Sequence, residues 1–231
     1  MYDLFVMATT YQRPALCARL LHALAAQRMG LSIAAQVVLD DQFHDAPGYA
    51  HIFQDADIAL CMQEQPHEGK AGYYRTITRL WEAARDIDAR YYLQLQDDVE
   101  LTPGALRALI ATWEAIDDPL KICLNPMVDS TRERLYPFHY RKFGATLVRL
   151  GQWVDCLFFC ERRLFEVLEW HLTDPEVTPP GRKKSSGVGA QLMHRLREMG
   201  YHLYQVDHSL VTHGDHPSVM HPERQTPIVS I

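Results

Sequence analysis

Long apolar runs are missing from this 231-residue chain. None approaches the ~20 residues that cross a bilayer, so no membrane-spanning helix is expected. The opening stretch MYDLFVMATTYQRP has neither a charged n-region nor a small-residue cleavage site, and no secretory leader is expected there. Cysteine is sparse: the five, at positions 17, 61, 123, 156 and 160, are odd in number and form no C-x-x-C pair. That excludes a disulfide framework and a zinc ribbon and points to a reducing compartment. The expected location is the cytoplasm, at most peripheral at a membrane. Basic charge is in deficit, with 23 Lys and Arg against 29 Asp and Glu for a net charge of -6. A nucleic-acid partner is therefore a minority expectation, resting on the local patches RKF at 141–143 and GRKK at 181–184. Internal repeats, low-complexity tracts and an obvious linker are also lacking.

What is present is enough apolar sequence, 47% of residues, to bury a full core as one domain. Short apolar runs alternate with helical patterns, the order of a βαβ sheet. LFVMA (4–8) reads as a buried strand running into TTYQRP, and Pro14 suits the first turn of a helix carrying Leu16, Leu20, Leu21 and Leu24. IAAQVVL (33–39) is a second strand, closed by Asp40 and Asp41, and a third is expected near 57–62. Residues 70–85 place Tyr73, Ile77, Leu80, Trp81 and Ala84 on one face of a helix that opens just after Gly69. RYYLQLQ is a further strand. Thr102 and Pro103 then read as N-cap and first helical residue, which puts Asp97 and Asp98 in a tight turn between strand and helix. Tyr73, Tyr74, Tyr91 and Tyr92 read as core or half-buried sheet residues.

Open, mostly parallel sheets bind ligands beyond the carboxyl ends of their strands. Three polar clusters fall there: TTYQR after the first strand, DDQ after the second and QDDVE after the fourth. A single carboxylate at a strand end is an ordinary turn former, but three clusters on one edge ask for a ligand. Two adjacent aspartates can divide a task, one gripping a divalent cation and the other reaching a ribose hydroxyl or a metal-bound water. Oxygen ligands of this kind suit Mg²⁺ or Mn²⁺ held between carboxylates and substrate phosphates, so the implied substrate is a diphosphate.

VMATTYQRP, VVLDDQ, GKAGYYRTITRLWEAA and YYLQLQDDVELTPG, in this order and spacing, resemble the nucleotide-sugar glycosyltransferases of the GT-A fold, most closely glycosyltransferase family 2. The resemblance continues through LMHRLREMGYHLYQVDHSLVTHGDHPSVMHPER and so covers most of the chain. It implies an α/β, Rossmann-like single domain with a mixed, mostly parallel sheet flanked by helices. Residues 1–100 would be the nucleotide-sugar half, 101–213 the acceptor half and 214–231 a C-terminal lid. It further implies that Thr9, Tyr11 and Arg13 line the nucleotide loop and that Asp41 or Asp40 contacts the base. Arg75 would lie near the diphosphate or ribose, with Lys70 as a second cation. Asp98 would ligate Mn²⁺ or Mg²⁺ with His213, and Asp97 would face the ribose or the sugar. The implied donor is a nucleoside diphosphate sugar, UDP-sugar favoured, and the acceptor a saccharide, a lipid-linked glycan or another hydroxyl compound. A hydroxylated base of modified DNA is the minority acceptor.

One part of the family pattern is absent. The Glu-Asp pair that holds the acceptor base falls, counting back from Gly200 and Tyr201, on Val188 and Gly189. Asp155 is the first substitute as catalytic base, because it interrupts an apolar stretch next to Trp153; Glu161, Asp174 and Glu176 follow. A retaining mechanism, which needs no such base, stays open. HGDHPSVMH could form a zinc site from His213, His216 and His221, but the Gly- and Pro-containing segment better fits a single ligand, His213, after the strand SLVT, with the remainder folding over the donor. EVTPPGRKKSSG (176–187) reads as a flexible loop. Two other classes compete. A nucleotidyltransferase would want a Gly-rich phosphate loop, and ATTYQRP contains no glycine. A non-catalytic nucleotide-sugar-binding module would explain the missing pair.

Overall fold

A computed structural model describes residues 1–40, 59–64, 66–67, 69–128, 139–151, 156–173 and 188–214. Its centre is a nine-stranded sheet in the order β3-β2-β1-β4-β9-β6-β10-β8-β7. The strands are β1 (Tyr2–Thr10), β2 (Ile33–Leu39), β3 (Ala59–Glu64), β4 (Ala89–Gln96), β6 (Lys121–Asn125), β7 (His139–Phe143), β8 (Thr146–Leu150), β9 (Phe158–Cys160) and β10 (His202–Val206). A two-stranded ribbon joins β5 (Val99–Leu101) to β11 (Val211–His213). The helices are α1 (Pro14–Gln27), α2 (Gly69–Ala84), α3 (Ala105–Ala115), α4 (Arg163–Val167) and α5 (Val188–Glu198).

β3, β2, β1 and β4 pair in parallel, as do β6 and β10, while β9 runs against β4 and β6, and β8 against β10 and β7; the sheet is mixed, as expected from the sequence, and parallel in its core. The inner strands are apolar on both faces because helices cover both. Leu4, Val6 and Ala8 of β1 face a core built with Leu20, Leu21 and Leu24 of α1 and Leu106, Leu109 and Trp113 of α3. Phe5 and Met7 face the opposite core, with Tyr73, Ile77, Leu80 and Trp81 of α2, Leu164 and Phe165 of α4 and Leu192 and Leu196 of α5. The period-2 alternation of β1 thus meets helical stripes on two sides.

Four local expectations are corrected. Asp97 and Asp98 turn from β4 into β5, not directly into a helix. Thr102 does not cap α3: its hydroxyl donates to the Leu210 carbonyl at 2.9 Å, tied into the ribbon, and α3 starts at Ala105 behind Gly104, whose φ of 78° suits a residue without a Cβ. The third strand lies at Ala59–Glu64 rather than 57–62, and α2 already includes Gly69. The four tyrosines are buried as expected. The thiols of Cys17, Cys123 and Cys160 are free, and no helix among the described residues is long and apolar enough to cross a membrane.

In the basic patch at 141–143, Arg141 is engaged by the fold and Lys142 is exposed. Arg141 Nη1 donates to the Tyr204 hydroxyl at 2.9 Å and lies 3.3 Å from Asp118 Oδ2, which also accepts from Tyr204 at 2.5 Å and lies 2.6 Å from His202 Nδ1. This network ties β7 to β10, and the patch gives no support to a nucleic-acid acceptor. GRKK lies outside the described residues.

Candidate donor and metal site

The parallel pairing of β1 with β2 and β4 brings the ends of three strands to one edge. The backbone continues the pairing past the strands: Asp40 N–H donates to the Thr10 carbonyl at 2.9 Å and Asp97 N–H to the Thr9 carbonyl at 3.2 Å. Thr9 and Thr10 therefore sit between the two acidic turns.

Thr10 Oγ1 donates to Asp97 Oδ2 at 2.8 Å, and the Arg13 guanidinium lies 3.2 Å from Asp98 Oδ2 and 3.6 Å from Asp97 Oδ1. Arg13 immediately precedes α1, so the chain reversal after β1 aims its side chain back over the two carboxylates. Burial pushes the Asp97 carboxyl up to about 6; the Thr10 hydrogen bond opposes that, Asp98 beside it adds to it, and Arg13 opposes it again. Asp98 is also raised by burial, but His213 and Arg13 outweigh this and its carboxyl lies below the usual range. The two neighbours are thus driven apart, one toward the proton and the other toward the charge.

His213 arrives from the far end of the chain. It is the last residue of β11, not a residue beyond the strand, and pairs across the ribbon with Val99. Gly214 N–H donates to the Asp98 carbonyl at 2.9 Å, and His213 Nδ1 stands 3.6 Å from Asp98 Oδ1. That Oδ1 is buried and has no hydrogen-bond partner. A buried carboxylate oxygen left unpartnered is costly, and a cation is one way to satisfy it. The donor set, one carboxylate oxygen and one imidazole nitrogen, fits a borderline ion such as Mn²⁺ better than Mg²⁺, which prefers oxygen throughout. No group of three or more His, Cys, Asp or Glu side chains among the described residues is placed to hold a metal. A metal bound between Asp98 and His213 would therefore need further ligands from substrate and water.

Beyond this centre, Thr9 Oγ1 and the Tyr73 hydroxyl are hydrogen-bonded at 2.9 Å, and Gln96 Nε2 reaches the same hydroxyl at 3.4 Å. Tyr11 stacks on His67, with ring centroids 4.0 Å apart and planes 14° from parallel, while His67 Nδ1 lies 3.0 Å from Asp40 Oδ2. Arg75 is exposed on α2, donating to the Tyr74 hydroxyl at 2.9 Å and lying over that ring. The residues gathered at the edge are Thr9, Tyr11, Arg13, Asp40, Asp97, Asp98 and His213. Lys70 lies in the first turn of α2, with its side chain outside the described residues. Asp41, Trp153, Asp155, Asp174, Glu176, His216 and His221, and the region beyond Gly214, also lie outside them.

Sequence reasoning passed over His67 and the roles of Thr10 and Tyr73. His67 had one signal, its position between the third strand and the Gly-led helix, on the edge where the other clusters end. Glu161 is a poorer fit for a base: it follows Cys160, which pairs with Tyr92 in the middle of β4 on a strand running away from Asp97, and it accepts from the Trp113 indole at 2.9 Å. Val188 and Gly189 open α5, and Val188 is fully buried, so no acid occupies the expected position of the pair.

No family model matches the chain. Galactofuranosyltransferase GlfT2 from Mycolicibacterium smegmatis is 30% identical over 117 residues, covering 49% of this chain and 18% of that protein. GlfT2 from Mycobacterium tuberculosis is 25% identical over the same shares. The matched region thus spans under a fifth of these relatives' length. Among solved structures, mannosyltransferase PcManGT from Pyrobaculum calidifontis, in complex with GDP-Man and Mn²⁺, superposes with a TM-score of 0.61 at 16% identity, over 96% of this chain and 60% of that one. The 1–349 segment of S. aureus TarS, in complex with UDP-GlcNAc, gives 0.60 at 12% identity, over 94% and 60%. Glucosyl-3-phosphoglycerate synthase from Mycobacterium tuberculosis gives 0.56 at 11% identity, over 94% and 73%. The fold is that of the GT-A glycosyltransferases.

Proposed function

We propose that this protein is a metal-dependent glycosyltransferase that moves a sugar from a nucleoside diphosphate sugar, UDP-sugar favoured, to a hydroxyl acceptor. The observation that carries the reading is the buried, unpartnered Oδ1 of Asp98 facing His213 at the carboxyl edge of the sheet. The fold shared with structures that hold GDP-Man and Mn²⁺ or UDP-GlcNAc supports the same reading, as does the partial match to a galactofuranosyltransferase.

Asp98 and His213 would hold Mn²⁺ or Mg²⁺, and the bound ion would neutralise charge on the leaving nucleoside diphosphate. Tyr11 and Asp40, with Asp41, would receive the base, one by its ring face and the others as acceptors. Arg13 would balance the diphosphate as well as the paired carboxylates, with Lys70 and Arg75 as further cations. Asp97, held by Thr10, would orient the ribose or the donor sugar.

In an inverting transfer the acceptor hydroxyl gives its proton to a carboxylate and its oxygen bonds to the anomeric carbon. The bond from that carbon to the diphosphate breaks, and its electron pair leaves with the nucleoside diphosphate. Asp155 is the first candidate for the base. β9 enters the sheet from the edge that carries Asp97, with Phe158 opposite Gln94. A saccharide or lipid-linked acceptor suits this chemistry.

The test is a thermal-shift panel of UDP, GDP, CDP and TDP, and of UDP- and GDP-sugars, with and without Mn²⁺, on wild type and Asp98→Ala. Stabilisation by one nucleotide that needs Mn²⁺ and is lost in the variant is the expected result. Absence of any metal-dependent shift in folded protein refutes the assignment. One observation favours a second reading: Val188 and Gly189 stand where the catalytic pair belongs. A nucleotide-sugar-binding module would show the same shifts with no donor hydrolysis and no transfer.

A further inference from the structure

The subsite assigned above to the nucleobase already has an occupant. His67 lies face to face on Tyr11, with centroids 4.0 Å apart and planes 14° from parallel, and its Nδ1 is 3.0 Å from Asp40 Oδ2. These are the two contacts through which proteins commonly hold a planar heterocycle: a ring face on an aromatic side chain and an in-plane hydrogen bond to a fixed acceptor. At this separation the rings are in direct contact, and nothing fits between them. Asp40 is fixed, with its side chain 3% exposed, whereas the side chain of His67 is 34% exposed and lies between β3 and α2 rather than in either core. Rotation about its own side-chain bonds can move the imidazole without unpacking either layer.

We propose that His67 is an intramolecular competitor for the nucleobase: it occupies the Tyr11–Asp40 subsite of the empty protein and is displaced when a donor docks. The inference rests on the donor-site reading above and adds to it a side chain that stands in for the ligand. The competition has a definite form. A ligand that must expel the imidazole binds with its intrinsic affinity multiplied by the fraction of molecules in which His67 has already left. All bases bear the same penalty, because the contact they break is the same one. A base-free diphosphate bears none.

Mn²⁺-dependent binding of UDP, GDP and pyrophosphate to wild type and His67→Ala tests this by calorimetry. Removing the imidazole should tighten UDP and GDP by the same factor, about fivefold if His67 holds the subsite four-fifths of the time, and leave pyrophosphate unchanged. The ring protons of His67, shifted upfield by Tyr11 in the free wild-type protein, should move toward solvent-exposed positions as UDP is added and stay put with pyrophosphate. Weaker UDP and GDP binding in the variant would overturn the proposal and make His67 a wall of the subsite. Equal tightening of pyrophosphate would overturn it too, since the effect would then not concern the base. If wild type and variant bind pyrophosphate with Mn²⁺ but neither binds a nucleotide, the base subsite itself is refuted, and the competitor with it.

Discussion

His213 stands 3.6 Å from Asp98 because β11 pairs antiparallel with β5, and β5 begins one residue after Asp98. The approach is fixed by backbone pairing and not by the two side chains finding each other, so each should be removable without dismantling the ribbon. Asp98→Ala and His213→Ala should each abolish Mn²⁺-dependent stabilisation by nucleotide. Sugar transfer or donor hydrolysis should fall by more than the ~10–100-fold typical of changes one shell further out. Thermal shifts and steady-state rates on both variants check this; loss in one and retention in the other would show that the two are not a pair.

Asp118 predicts an acid limit unrelated to the donor site. Burial raises its carboxyl, but hydrogen bonds from Tyr204 and His202 outweigh that and hold it at about 2. A carboxyl depressed in the folded state stabilises above its unfolded value, near 3.8, and that contribution fades as pH falls from there toward 2. Wild type should therefore exceed Asp118→Asn in stability at pH 5 and above, and the gap should shrink steeply below pH 4 and close only as the pH passes below 2. Urea midpoints across this range are the measurement.

Trp81 and Gln94 predict a coupled loss in the core. Both are fully buried, and the indole donates to Gln94 Oε1 at 2.7 Å while Gln94 Nε2 has no partner. Trp81→Phe strips Gln94 of its remaining bond and opens a gap, which should cost about 3 kcal/mol. Gln94→Leu leaves the indole unsatisfied and should cost about 1–2 kcal/mol. The double variant should lose less than the sum, by about 1 kcal/mol or more, in a denaturant double-mutant cycle.

The buried thiols should be slow. Burial pushes Cys17 up to about 12 and drives Cys123 and Cys160 well above the ordinary thiol range. A disulfide reagent added to native protein at pH 8 should leave these three unreacted on the timescale of minutes and label them once denaturant is present.

The first half of the chain could be read from the sequence because its signals are local. Apolar strands covered on both faces stand out as continuous runs, Pro14 marks the start of α1, and the stripe from Tyr73 to Ala84 declares α2. From these follow the edge and the clusters on it. The errors arose where a residue's partner lies far along the chain. Thr102 has the sequence context of an N-cap, yet its hydroxyl is taken by Leu210, which no window around position 102 contains. His67 has no periodicity and no motif of its own, and it matters only because β1 and β2 bring Tyr11 and Asp40 beside it. Glu161 looked eligible by residue type and was disqualified by strand direction, which composition does not encode.

The β5–β11 ribbon also orders events in folding. Closing the chain between positions 98 and 213 requires a long loop, and such contacts form late because their entropic cost falls due before their neighbours reward them. β6, β7, β8, β9 and β10 all lie within that loop, so most of the second half is made before His213 can reach Asp98. During synthesis the first half can gather Thr10, Arg13, Asp97 and Asp98 at the sheet edge, yet His213 cannot join them until residue 213 has left the ribosome. The approach of His213 to Asp98 is thereby among the last contacts the chain can make.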